Sequence, residues 1–288
     1  MKRASLMLVA IVFLLAGPQA ATPQNATRQH TASGYRKEGL RYYDLRQFEK
    51  AAEAFKKALS LRPDYADAYN DLGLAYAAMG RHDEAIDLIK LAIYHKPEFA
   101  VAYFNLGSEY YQIGDLKAAV RFLRDAIRNK PDYALAFNNL GAALSESDAH
   151  IEAIAAYEQA LRLRPSWAQA HRNLALASWP AEEYNRVFKH LKQAVSLKPD
   201  YFEAYNDLGV AHYNKGQYTE AVASLNQAIK LKPEYENAIY NLGVVRLTLK
   251  QRYEAVAQYQ RLKALNPNLA GALYQGLYKG MILDLKNK

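Results

Sequence analysis

Residues 202–233 read FEAYNDLGVAHYNKGQYTEAVASLNQAIKLKP, and this stretch decides the fold. It carries Tyr205, the pair Leu208-Gly209, then Gly216, Tyr218, Ala221, Ala228 and finally Pro233. Moving outward in steps of 34 residues, the closing proline recurs as Pro63, Pro97, Pro131, Pro165, Pro199, Pro233 and Pro267. The Leu-Gly pair recurs at Leu72-Gly73, Leu106-Gly107, Leu140-Gly141 and Leu242-Gly243, with Leu174-Ala175 as the variant. One alanine register runs Ala51, Ala85, Ala119, Ala153, Ala221, Ala255, and a second runs Ala58, Ala92, Ala126, Ala160, Ala194, Ala228. A period of this length means a solenoid of stacked supersecondary units.

Each repeat reads as two helices. In the second repeat Tyr69, Leu72, Tyr76 and Met79 fall on one stripe at 3.6 residues per turn, and Ala85, Ile86, Ile89, Ala92 and Ile93 on another. Gly80, Gly114 and Gly216 stand at the turn between the helices, where a left-handed residue ends the first; Asp148 replaces glycine in one repeat. Lys or Arg precedes most of the prolines, at the negative end of the outgoing helix, and Asp, Glu or Ser follows most of them. The aspartates and Ser166 are placed to cap the incoming helix. A lone repeat cannot bury its apolar face, so neighbours share one core and the ends need caps.

This pattern resembles the tetratricopeptide repeat (TPR) family, over seven repeats at residues 32–269. The resemblance implies an all-α, right-handed α-solenoid of helix-turn-helix units. Residues 270–288 resemble the capping helix that closes such arrays, and the first helices of each repeat line the concave groove.

The sequence starts with Lys2 and Arg3, then the apolar run 6–16, then Gly17-Pro18-Gln19-Ala20-Ala21. That order is a secretory signal over 1–21, followed by a polar linker at 22–31. The chain is expected to be exported, to a bacterial periplasm or beyond, touching a membrane only if the first segment stays uncleaved. The absence of cysteine excludes disulfides, thiolate metal sites and a cysteine nucleophile. No phosphate-binding loop, His-Glu-x-x-His or Gly-x-Ser-x-Gly occurs, and the histidines read as dispersed surface or packing residues. No enzyme, metal or cofactor is therefore expected, and the repeats leave no span for a catalytic domain.

The formal charge is +8. Over the last six repeats the first helices hold three basic and seven acidic residues, and the second helices eighteen basic and eight acidic. The cationic excess lies on the second helices, where anionic polysaccharide or lipid is an alternative ligand, and a role as accessory subunit of an envelope enzyme complex is the other alternative; export argues against nucleic acid. The groove side is neutral to acidic and carries amides. Asp71, Asn105, Asn139, Asn173, Asp207 and Asn241 recur at one position, and Asn70, Asn138 and Asn206 stand beside it. An amide both donates and accepts, so such a file can pair with the backbone of an extended peptide. Phe104, Tyr111, Trp179, Tyr213 and Tyr240 would add apolar contacts, and Arg172 a charge. The file is similar to the asparagine ladder in the TPR array of O-linked N-acetylglucosamine transferase, which binds substrate polypeptides. The competing reading is that the amides only brace adjacent repeats. In the fifth repeat Ser178-Trp179-Pro180 interrupts the first helix, as a bend, a contact or a tolerated irregularity.

Overall fold

The structure, a computed structural model, describes residues 23–180 and 183–286, with side chains for 31–180 and 183–277. The expected signal at 1–21 lies outside the described residues. The chain divides into two compact bodies, one ending at Pro97 and the other beginning at Glu98. The first holds α1 (Pro23–Asp44), α2 (Phe48–Leu61), α3 (Ala66–Ala78) and α4 (His82–His95). The second opens with α5 (Ala100–Gln112), α6 (Leu116–Asn129), α7 (Ala134–Glu146), α8 (His150–Leu163) and α9 (Ala168–Ala177). It continues with α10 (Tyr184–Leu197), α11 (Phe202–Asn214), α12 (Tyr218–Leu231), α13 (Glu236–Thr248), α14 (Arg252–Leu265) and α15 (Pro267–Lys286). The described residues form an all-α helical repeat array without strands.

Small residues let the helices of a pair close on each other. Both alanine registers are fully buried in every repeat named above. A Cβ on Gly209 would stand 2.5 Å from Leu225, and one on Gly141 would stand 2.8 Å from the Tyr157 ring. Consecutive helices pack in sequence within each body, and in the second body α15 covers α13 and α14 with Ala270, Leu273 and Leu277 buried. The closing helix starts at Pro267, three residues before the sequence expectation, because proline suits the first helical position.

The turns follow the residue chemistry. Gly80, Gly114 and Gly216 have φ of 77°, 82° and 72°, and Asp148 takes 59° in the same role. Arg46 and Lys250 occupy that place too, at 58° and 59°, where no side chain favours it.

Three expectations change. The residue after each proline does not cap the next helix: the N-cap is the following aromatic, as at Tyr65, Tyr133 and Tyr201, with no side-chain cap bond. The Pro-Asp segment is instead a turn, closed by backbone bonds such as Tyr133 N to Lys130 O. The basic residue before the proline reaches over that aromatic ring, Arg62 over Tyr65 at 4.4 Å and Lys198 over Tyr201 at 4.8 Å. Second, α1 begins at Pro23, so residues expected as a polar linker continue the first helix; no proline or glycine separates Gln24 from Ser33. Third, α9 stops at Ala177, one turn short of its counterparts, because Pro180 cannot continue the ladder.

Candidate functional site

The amide file is a set of bonds between consecutive first helices, four of them spanning 35 residues. In the first body Arg36 Nε donates to Asp71 Oδ2 at 2.6 Å. In the second, Asn173 Nδ2 donates to Asn138 Oδ1 at 3.1 Å and Asn241 Nδ2 to Asn206 Oδ1 at 2.9 Å. Between them Arg172 Nε donates to Asp207 Oδ2 at 2.6 Å. A carboxylate thus stands in the file where the preceding repeat offers an arginine, and an amide where it offers an amide. Asn139 Nδ2 reaches Ser108 Oγ at 3.2 Å, the preceding neighbour on this line being Phe104.

Burial sorts the file. Asn70, Asp71, Asn105, Asn138, Asn206 and Asp207 are all at most 9 % exposed, so they offer little surface to a ligand. Burial pushes the Asp71 and Asp207 carboxyls above the ordinary range, against the pull of Arg36 and Arg172. Burial alone would lower the Arg172 guanidinium, but Asp207 overcomes it and holds the charge. Asn139, Asn173 and Asn241 are half-buried. Asn173 and Asn241 each spend one amide hydrogen on the brace, and their Oδ1 atoms take no partner among the described residues.

The exposed sides of these residues open into two clefts in the second body. One, of about 520 Å³, lies between α7 and α9 and takes in Tyr111, Asn138, Asn139, Glu146, Asn173 and Leu176. The Tyr111 hydroxyl donates to Glu146 Oε1, and burial together with that carboxylate pushes Tyr111 up to about 12. His150 Nδ1, at the same cleft, is buried without a hydrogen-bond partner among the described residues. The second, about 220 Å³, lies between α11 and α13 and takes in Val210, Tyr213, Leu225, Tyr240, Asn241 and Val244. Across its end Tyr213 Oη and Thr248 Oγ1 are 3.2 Å apart.

The remaining candidates lie elsewhere. Phe104 packs on Tyr133 at 5.1 Å, and Trp179 packs against the cluster of Ala175, Val187, Leu191 and Leu208. A third hollow, about 900 Å³, lies on the second-helix side, where Lys117, Arg121, Arg124 and Arg128 form a stripe on α6. Arg124 and Arg128 are already paired with Glu152 and Asp125. Sequence reading missed one pair: His171 and His190 stack with Nδ1 atoms 2.9 Å apart, and His171 Nε2 donates to the Pro165 carbonyl at 2.9 Å. His171 stands where Tyr69, Tyr103 and Tyr205 stand in other repeats, a position that faces the second helix. Burial holds both imidazoles low, His190 to about 4. Among the described residues no cluster of three or more His, Asp or Glu is placed to hold a metal ion, and no helix is long and apolar enough to cross a membrane.

Paired antiparallel helices repeated at 34 residues, with polar braces between their first helices, define a helical-hairpin repeat array. Profiles described as "TPR repeat" match residues 39–80, 183–216 and 211–250, and profiles described as "Tetratricopeptide repeat" match 64–131, 134–166 and 237–269. The chain belongs to the tetratricopeptide repeat family. Among solved structures, MamA is 28% identical with a TM-score of 0.53, the match covering 59% of this chain and 93% of that one. PilF of Pseudomonas aeruginosa is 19% identical with a TM-score of 0.66, covering 74% and 96%. YrrB, described as a TPR protein with an unusual peptide-binding site, is 23% identical with a TM-score of 0.53, covering 65% and 97%. No curated protein sequence matches the chain.

Proposed function

We propose that the protein is an exported, non-catalytic scaffold that holds an extended polypeptide on the first-helix face of its second body, in the bacterial cell envelope. One observation carries the reading. Seven candidate residues converge on two clefts of that face, Tyr111, Asn138, Asn139 and Asn173 at one and Tyr213, Tyr240 and Asn241 at the other. At both, amide oxygens remain for a backbone N–H after the braces are made. Each such bond adds only about 1 kcal/mol net, so several must act together with apolar contacts. The family is generally a scaffold for protein interactions, and the solved YrrB array has a peptide-binding site. Export rests on the basic, apolar, small-residue order of residues 1–21.

The test is affinity capture from the native envelope with the wild type and with Leu176→Arg, an exposed position on the α7–α9 cleft that makes no brace. The bound polypeptide should be lost while helicity and melting stay close to wild type. Undiminished capture by a folded variant counts against the face. The α6 stripe favours a second reading, an anionic polymer on the second-helix side, which predicts binding that falls steeply with salt.

A further inference from the structure

The two clefts differ in chemistry, and the difference bears on which polypeptide fits. Among the described residues that line the α7–α9 cleft Glu146 is the one carboxylate, and none is a lysine or arginine. Glu146 is exposed and engages Tyr111 through Oε1, which leaves Oε2 for a ligand. Tyr111 is held as a donor by its raised pKa of about 12, so it orients the carboxylate without neutralising it. A cationic side chain complements such a cleft.

The α11–α13 cleft is apolar. Val210, Leu225, Val244 and Val245 form its walls, with Tyr240 at the side and Asn241 beside it. At its floor Leu225 packs directly on the backbone of Gly209. Its volume of about 220 Å³ equals roughly seven waters, room for one branched or aromatic side chain. Arg172 lies in sequence between the two clefts but is committed to Asp207, so it does not oppose a cationic ligand as a free charge.

Packed helices lie about 8–10 Å apart, so two steps along the first helices put the clefts about 16–20 Å apart. An extended chain covers that in about five or six residues at roughly 3.3 Å each. We infer that this face selects an extended segment with a lysine or arginine seated at Glu146 and, five or six residues away, a large apolar side chain in the α11–α13 pocket. The inference rests on the reading of the face as a polypeptide site and adds which polypeptide.

The experiment is selection of random twelve-residue peptides on the purified chain, followed by fluorescence anisotropy with synthetic peptides. Enriched peptides should share the basic and apolar pair at that spacing. Glu146→Gln should weaken them about tenfold, and replacing the peptide's lysine by glutamine should abolish that difference. Val210→Trp, which fills the pocket, should weaken binding at least tenfold, with melting unchanged as the check on folding. Peptides that lack the pair, yet are displaced by Leu176→Arg at the cleft, would overturn the specificity and leave the polypeptide site standing. Peptides indifferent to Leu176→Arg, or no enrichment at all, would overturn both.

Discussion

Arg172 and Asp207 form an ion pair at a place where other repeats use two amides, and exchanging one for the other is an informative perturbation. The guanidinium side chain is 24 % exposed and the carboxylate 11 %, with Nε and Oδ2 2.6 Å apart. Breaking a fully buried pair costs about 3–5 kcal/mol, because a charge is left without its partner. Here the arginine retains some water, so Asp207→Ala should cost about 2–3 kcal/mol, and Arg172→Asn, which strands the carboxylate, a similar amount. Burial already pushes the Asp207 carboxyl up, so the charged pair is bought at a desolvation penalty that two amides do not incur. Arg172→Asn/Asp207→Asn recreates the Asn138–Asn173 arrangement and should lie within about 1 kcal/mol of wild type. The cycle is completed with Asp207→Asn and should show a coupling of at least ~1 kcal/mol. Because long arrays unfold in parts, the assay is hydrogen exchange of the α9 and α11 amides beside a urea titration. A double variant as unstable as the sum of its single variants would refute the pairing rule.

Three further outcomes follow from local geometry. Arg46→Gly and Lys250→Gly relieve a left-handed backbone and should each add about 0.5–1 kcal/mol, read as a higher melting temperature. Gly141→Ala pushes a methyl into the Tyr157 ring and should cost about 1–3 kcal/mol, whereas Ala175→Gly, at the equivalent position, should cost about 1 kcal/mol. The His190 pKa of about 4 lies below that of an unfolded histidine, so the unfolded chain binds the extra proton first. Stability of the second body is therefore fully present above pH ~6.5 and is lost as pH falls toward ~4, by about 1–2 kcal/mol after allowance for solvent screening. His190→Gln should flatten that part of the profile in denaturant titrations.

Much of the fold is legible because the determinants are local. Proline ends a helix, a left-handed residue turns the chain, and Ala and Leu-Gly registers mark close packing. What the single-repeat view hides is the neighbour. A helical wheel places Asn70 and Asp71 opposite the Tyr69-Leu72-Tyr76 stripe and suggests a solvent-facing groove, but both are buried, and Asp71 is engaged by Arg36 of the preceding first helix. The signal was present at a spacing of 35: Arg36 with Asp71, Asn138 with Asn173, Arg172 with Asp207. The aromatic N-caps escaped notice because aspartate after proline is an apt cap chemically, yet the turn spends it elsewhere. The His171–His190 contact needed the recognition that position 171 is an inward aromatic site filled by a polar ring.

The central claim is that a polypeptide lies on the first-helix face of the second body. It is tested most directly by a photoreactive residue at Leu176, which is 38 % exposed on the α7–α9 cleft, against one at Tyr253, 91 % exposed on α14. The account predicts that irradiation in the native host joins position 176, and not 253, to one recurrent polypeptide segment. Adducts confined to position 253, or adducts at 176 made of polysaccharide or lipid, would contradict it.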